Sequence, residues 1–299
     1  MFSWTFESRI VQANGIRQHV VVGGEGPPLL LIHGWPQNWY AWRLVMPGLA
    51  RDFTVIAVDQ RGIGLTELTA TGYDTATLAA DMAELMSTLG YGRFAVVGHD
   101  TGLAIAYALA ADFPRRVHHL AVAEVPAPPG VVPPGPPLFT PETVNNRLWH
   151  IPFNRVDDEL IVDMVHDHAD AFFGYEFQVQ GGGTDMPAHA RDYYISLYNR
   201  DKDALRASFG FYRAWDQMLD QNAQRATTKL TIPVLGIGGS LSWGDKVAQG
   251  MMPAAEHVRA AVIPGTGHWV AEQGPEELVA VLRHFLPPDS DWAAAHRVA

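Results

Sequence analysis

Apolar and polar positions along this 299-residue chain sort into two recurring kinds of segment. Short runs at 29–32, 54–58, 94–97, 119–125, 234–237 and 260–263 are apolar almost throughout, as expected of strands buried on both faces. Between them, 39–50, 75–89, 104–111 and 276–285 place apolar residues three and four apart, which predicts helices. Ahead of the first run, 9–12 and 17–22 flank Asn14-Gly15, a turn pair that predicts a hairpin. Two antiparallel strands followed by strand–helix alternation predict an α/β architecture: a mostly parallel, eight-stranded sheet with helices on both faces.

The alternation stops after residue 125. Eight prolines fall within 126–141, too many for a helix or a central strand. From there to about Gln224 the pattern is helical and rich in aromatics, interrupted by Gly181-Gly182-Gly183, which reads as a flexible loop. Strand-like patterning resumes at Leu230. The expected organisation is a core made of 1–125 and 230–299 with a helical cap, 126–229, inserted into it. No internal repeat is evident.

Composition narrows the partners. The hydrophobic fraction of 47% and charged fraction of 18% describe an ordinary globular chain with a sizeable core. A net charge of −11 without a basic run speaks against nucleic acid and anionic membranes. The absence of cysteine removes disulfides, thiol nucleophiles and thiolate metal sites. No stretch of about 18 apolar residues is present, and the start, Met1-Phe2-Ser3-Trp4, lacks a basic region and a long apolar segment. A cytoplasmic location follows as an expectation, with export and a homodimer both left open.

Against this background Val97-Gly98-His99-Asp100-Thr101-Gly102 stands out. It joins an apolar strand to a small-residue helix, the setting of a G-x-S-x-G nucleophile elbow, but carries aspartate where that motif has serine. A carboxylate is ionised at neutral pH and attacks an sp3 carbon without prior deprotonation, leaving an alkyl ester for water to cleave. The plain alternative is that Asp100 caps the following helix.

Other segments fall where such a fold would gather a site. His33-Gly34-Trp35-Pro36 follows the third strand, and backbone N–H groups of Trp35 and Thr101 are the expected oxyanion hole. His33 reads as a brace for that loop and, with Trp149 and Trp269, as a substrate contact. Gly267-His268-Trp269 follows the last strand, so His268 is the expected general base, and nucleophile, acid and histidine come in the order the fold requires. Residues 238–244 after the seventh strand hold no carboxylate, whereas Glu124 interrupts an apolar run at the end of the sixth. A buried carboxylate needs a partner, which makes Glu124 the expected acid and Asp245 the alternative. In the cap, His150 and Tyr212 offer donors for a departing oxygen; the bland reading of both is a packed aromatic helix face.

The order His33-Gly34-Trp35-Pro36-Gln37, Asp59-x-Arg61-Gly62-x-Gly64, Gly98-His99-Asp100-x-Gly102 and Gly267-His268-Trp269 resembles the α/β-hydrolase superfamily, in its epoxide hydrolase and dehalogenase branch, over about residues 8–287. Glu124, Trp149-His150, the segment 207–214 and the glycine-rich loop after strand seven are together similar to the Cif-like bacterial epoxide hydrolases. The resemblance implies an α/β-hydrolase fold with an inserted cap, Asp100 as nucleophile, His268 as base, Glu124 as its charge-relay acid, and His150 with Tyr212 as the ring-opening pair. It implies a small or medium apolar epoxide as substrate, a vicinal diol as product, and no metal or organic cofactor. One departure is that secreted Cif-like members carry an export signal and this chain begins without one.

Competing readings use the same residues. Related fluoroacetate dehalogenases hold a haloacid carboxylate with arginines after the nucleophile, and here the corresponding positions are Thr101 and Ala104. A haloalkane dehalogenase would need ring N–H donors for halide, which Trp35 and Trp149 could supply. His166-Asp167-His168-Ala169-Asp170 matches a fragment of a metallohydrolase pattern, but Ala171 stands where that pattern wants histidine and residues two apart on a helix diverge. A non-catalytic ligand-binding protein of the same fold predicts a broken constellation, and every member here is intact.

Overall fold

The computed structural model describes residues 6–131, 142–286 and 288. Eight strands form one sheet: β1 (Phe6–Ala13), β2 (Ile16–Gly23), β3 (Pro28–Ile32), β4 (Thr54–Val58), β5 (Phe94–His99), β6 (Val117–Ala123), β7 (Leu230–Gly239) and β8 (Ala255–Ile263). Their order is β1-β2-β4-β3-β5-β6-β7-β8, with β2 antiparallel to β1 and β4 and every other pairing parallel. The hairpin turns at Asn14 and Gly15, both at positive φ, as the Asn-Gly pair predicts.

The period-two geometry of a strand explains the unbroken apolar runs. In β3, Leu30 and Ile32 face a layer containing Leu78, Met82 and Leu103, while Leu29 and Leu31 face another containing Met46, Leu49, Leu278 and Phe285. The first layer comes from the helices Thr75–Thr88 and Thr101–Asp112, the second from Met46–Leu49 and Pro275–Phe285. Helices thus cover both faces. Each such apolar side chain removed from water contributes roughly 1.5–3 kcal/mol before the entropy of ordering is set against it.

Four local expectations need correction. Residues 39–50 are not one helix: a 3-10 turn, Trp39–Trp42, is followed by a separate turn of helix, Met46–Leu49. Pro47 lacks the N–H that a continuous helix would use there, although Trp42, Val45, Met46 and Leu49 all bury as their spacing suggests. β6 ends at Ala123, so Glu124 lies just beyond the strand. A further helix, Lys246–Met251, follows β7. The triglycine segment is not free. Cβ atoms at Gly181 and Gly267 would run into backbone, one at Gly182 would sit 3.0 Å from Gly267 Cα, and Gln273 Nε2 donates to Gly181 O (2.9 Å) and Thr184 O (2.7 Å).

Between β6 and β7 the described chain is helical, with elements including His150–Phe153, Ala169–Gln180, Ala188–Asn199 and Gly210–Arg213. The proline-rich segment is described only to residue 131; positions 132–141 lie outside the described residues. An aromatic layer containing Trp35, Phe173, Phe177, Tyr194, Phe209, Tyr212 and Trp269 joins these helices to loops of the sheet. A buried ionic group reinforces the junction: Arg43 Nη2 and Tyr194 Oη both donate to Glu272, at 2.8 and 2.6 Å. Among the described residues no helix is long and apolar enough to cross a membrane.

Candidate active site

The loops at the carboxyl ends of β3, β5, β6 and β8 meet on one side of the sheet, the edge where ligands bind in such folds. Asp100 follows β5 with φ 52 and ψ −118, and its side chain makes no cap bond to the helix Thr101–Asp112. The capping alternative therefore fails. A residue with a Cβ is strained there, and close packing enforces the turn. A Cβ at Gly98 would meet Gly102 O, one at Gly102 would meet Ile32 O, and one at Gly34 would meet the Asp100 side chain.

The two oxygens of Asp100 have different surroundings. Trp35 N donates to Oδ1 at 3.0 Å, and His268 Nε2 lies 3.6 Å from Oδ2. The other ring nitrogen, Nδ1, lies 3.3 Å from Glu124 Oε2. Glu124 is fully buried at φ 68, its N donates to Ile237 O at 3.1 Å, and its Oε1 accepts from Gly239 N. Burial pushes the His268 imidazole down, but the hydrogen bond to Glu124 and the charges of Asp100 and Glu124 outweigh it and leave its pKa raised. Asp245, the alternative acid, is exposed at a helix start and accepts from Gln249 Nε2 at 2.7 Å. The structure brings Asp100, His268 and Glu124 together and leaves Asp245 elsewhere.

Two residues the sequence reading missed hold the histidine loop. His99 Nε2 donates to His268 O at 2.8 Å, and burial, then the neighbouring His268, depress the His99 pKa to about 4, so it stays neutral. Gln180 O accepts from His268 N at 3.0 Å.

His150 and Tyr212 line a cavity of about 290 Å3 together with Asp100, Thr101, Glu124 and His268. The remaining wall is largely apolar, including Leu103, Val125, Ile151, Phe211, Trp215 and Trp243. Trp35 stacks on His150 (5.5 Å between centroids, 15°) and meets the Tyr212 ring edge-on (5.3 Å, 82°). Tyr212 Oη is buried without a hydrogen-bond partner among the described residues. Burial, then the charges of Asp100 and Glu176, raise its pKa well above the usual phenol value, so it keeps its proton and can donate a hydrogen bond.

The three expected substrate contacts are placed otherwise. His33 accepts from Gln60 N at 3.1 Å and donates to Gly34 O at 2.9 Å, bracing its loop, and burial lowers its pKa. Trp149 Nε1 donates to Glu176 Oε2 at 3.1 Å and Trp269 Nε1 to Phe177 O at 2.9 Å. None of the three lines the cavity, because each ring's polar edge is already bound within the protein. His166 pairs with Asp167 at 2.9 Å on the surface, and no group of three or more His, Asp or Glu among the described residues is placed to hold a metal ion.

An elbow carboxylate beside a histidine–glutamate pair, on the ligand-binding edge of this sheet, is the framework of an α/β hydrolase. The family model for the alpha/beta hydrolase fold matches residues 27–275. The soluble epoxide hydrolase of Corynebacterium sp. (strain C12) is 34% identical over 278 residues, covering 92% of this chain and 95% of that protein. The fluoroacetate dehalogenase of Burkholderia sp. is 32% identical over 295 residues, covering 94% of each. Among solved structures, wild-type Cfl2 from Burkholderia cenocepacia has a TM-score of 0.85 at 34% identity, covering 94% of this chain and 96% of that one. The epoxide hydrolase CorEH without ligand has 0.86 at 31%, covering 95% and 99%. The chain belongs to the α/β-hydrolase fold family. Within it, the chain falls in the epoxide hydrolase branch, to which dehalogenases are also related, and is an enzyme of the hydrolase class.

Proposed function

We propose that this hydrolase converts a small or medium apolar epoxide to a vicinal diol through a hydroxyalkyl ester on Asp100. Oδ2 of Asp100 attacks an epoxide carbon while His150 and Tyr212 stabilise the departing oxygen. His268, oriented by Glu124, then takes a proton from water, which attacks Cγ of the ester. Charge develops on Oδ1, where the N–H groups of Trp35 and Thr101 receive it. The bond from Cγ to Oδ2 breaks as His268 returns its proton to Oδ2, the new carboxyl group gives up its remaining proton to solvent, and the diol leaves with Asp100 ionised again. The core is 1–125 with 230–299, and the cap, 126–229, supplies His150 and Tyr212. The reaction uses no cofactor, and we place it in the cytoplasm.

What carries this chemistry is the inequality of the two Asp100 oxygens. One is held by the Trp35 N–H, and the other lies beside the base in a cavity roofed by two ring donors. Dehalogenation fits less well. The described cavity wall holds no lysine or arginine to clamp a haloacid, with Thr101 and Ala104 at the relevant positions. Of the two ring N–H groups that could hold halide, that of Trp149 is given to Glu176, and Trp35, whose ring N–H is unpartnered among the described residues, does not line the cavity.

Glu124→Gln removes the base's partner and stalls only the second step. Treated with an epoxide, that variant should accumulate an adduct on Asp100 heavier by the whole epoxide, and Glu124→Gln/Asp100→Ala should not. Absence of any Asp100 adduct across a panel of apolar epoxides would overturn the assignment, and an adduct formed only from haloalkanes, lighter by the halogen, would reassign it.

A further inference from the structure

The loop 239–244 after β7 holds no carboxylate, yet it meets the acid, the base loop and the cap. Gly239 N donates to Glu124 Oε1. Leu241 N donates to Thr266 O at 2.9 Å, in the stretch leading to His268. From the cap comes Arg147, in the last turn of the helix Glu142–Leu148. Its Nη2 donates to Ser242 Oγ at 2.6 Å, and its guanidinium carbon lies 5.4 Å from the centroid of the Trp243 ring, which lines the cavity. One further cap residue closes the circle: Gln180 Nε2 donates to Arg147 O at 2.6 Å, and Gln180 O accepts from His268 N at 3.0 Å.

The described partners of the Arg147 side chain are thus a neutral hydroxyl and an aromatic face, and its Nε is buried without a partner among the described residues. Neither partner carries a countercharge, so the field of the cation reaches the ionisable groups around it. Burial lowers the pKa of Arg147, and the charges of Glu124 and Glu176 offset this in part; a guanidinium stays charged all the same. The ionisable groups facing His268 are Asp100 and Glu124 at its two nitrogens, His99 against its ring, His150 and Tyr212 across the cavity, and Arg147 from the cap. Arg147 is the permanent cation of this set. A base accepts a proton only when neutral, and two carboxylates beside it favour the protonated ring. The charge of Arg147 acts against that ring and opposes the rise caused by Glu124 and Asp100.

We propose that Arg147 is a positioning residue: it fastens the cap to the loop after β7 and holds a fixed positive charge beside the His268–Glu124 pair, so that cap and sheet set the base together. The use of that base rests on the epoxide reading above, whereas the effect of the cation on the ring does not.

The test follows the His268 ring itself by NMR titration of the unliganded protein, its resonance assigned by its loss in His268→Gln. Arg147→Gln removes the charge and keeps a donor for Ser242. The midpoint of His268 should then rise by about half a pH unit or more, since nothing replaces the cation that opposed the protonated ring. Arg147→Lys keeps the charge and should leave the midpoint near that of the unaltered protein. An unmoved midpoint in Arg147→Gln shows that the charge does not reach the ring, and equal movement in both variants shows that packing alone matters; either overturns the proposal. If Arg147→Gln does not fold, Arg147→Met, whose stem can still cover Trp243, takes its place with the same expected rise. With an epoxide as substrate, the acid limb of adduct breakdown should move to higher pH in Arg147→Gln and not in Arg147→Lys. Failure of the epoxide reading would look different: no adduct on Asp100 in Glu124→Gln with Arg147 unaltered, while the NMR midpoints still decide the role of the cation.

Discussion

Burial and neighbouring charge shift the pKa values of Tyr212 and His268 beside Asp100, and those shifts bear on what each group does. Tyr212, buried with its hydroxyl unbonded and its pKa far above the ordinary value, gives a hydrogen bond but not its proton. On the proposed chemistry, Tyr212→Phe should raise the barrier to adduct formation by about 2–4 kcal/mol, the usual cost of losing one donor to a developing oxyanion. Breakdown of preformed adduct should be nearly unchanged. Single-turnover mass measurements separate the two steps, and equal losses in both would return Tyr212 to packing. His268 has the opposite need, because it accepts a proton from water only when neutral. In the free enzyme the hydrogen bond to Glu124 and the charges of Asp100 and Glu124 raise its pKa, and in the ester, where Asp100 is neutral, only Glu124 is left to raise it. Glu124→Gln removes a group that raises this pKa, so residual breakdown in that variant should have its acid limb at lower pH. A limb that stays in place when Glu124 is neutralised would mean that Glu124 does not set the base. Asp245→Asn, altering an exposed carboxylate bonded to Gln249, should behave like the unaltered protein in both steps.

At the scale of elements, the elbow depends on glycines that let three backbone segments touch. A methyl at Gly102 would be driven into the backbone oxygens of Ile32 and His33 at the end of β3. Gly102→Ala should lower unfolding free energy by about 1–3 kcal/mol or more, as overpacking does elsewhere. It should also cut adduct formation, because the displaced loop carries the Trp35 N–H. Unfolding in urea unchanged from the unaltered protein would contradict this account of the turn. The same dense local code made the core legible from sequence. Apolar runs located six of the eight strands, the Asn14-Gly15 turn located the other two, and the elbow pattern located Asp100. One isolated charge in an apolar segment located Glu124. Other features had no local signal. Spacing shows which face of 39–50 is buried but not that Pro47 divides it. An aromatic ring near the site does not reveal where its N–H goes, which is why Trp149 and Trp269 read as substrate contacts. That His99 ties down the His268 loop is a contact across 169 positions of sequence. The triglycine loop looks mobile until Gly267 and Gln273 are placed against it.

For the molecule as a whole, the cost of a neutral interior falls on its acid stability. His99 and His119 both have pKa values depressed to about 4, chiefly by burial and then by nearby histidine. The unfolded chain titrates such groups near 6.5. Between these limits the unfolded state binds a proton that the folded state refuses, so stability falls as pH falls from about 6.5 toward 4. For His99, fully enclosed beneath the His268 loop, the full window corresponds to about 3 kcal/mol. His119, less enclosed, contributes in the same direction with a smaller amplitude. His268 works the other way: its folded pKa is raised, so it adds stability at low pH that is lost as pH rises through that raised value. The loop that bonds these two rings thus carries opposing proton linkages on adjacent imidazoles, 4.8 Å apart between centroids. His99→Asn removes the titrating group while keeping an N–H donor for His268 O. Urea unfolding measured from pH 8 to pH 4 should then give curves for the variant and the unaltered protein that converge toward acid, the unaltered protein losing about 3 kcal/mol more over the interval. Parallel curves would mean that His99 takes up its proton in the folded state, and that the strap over the base survives with a charged ring beneath it.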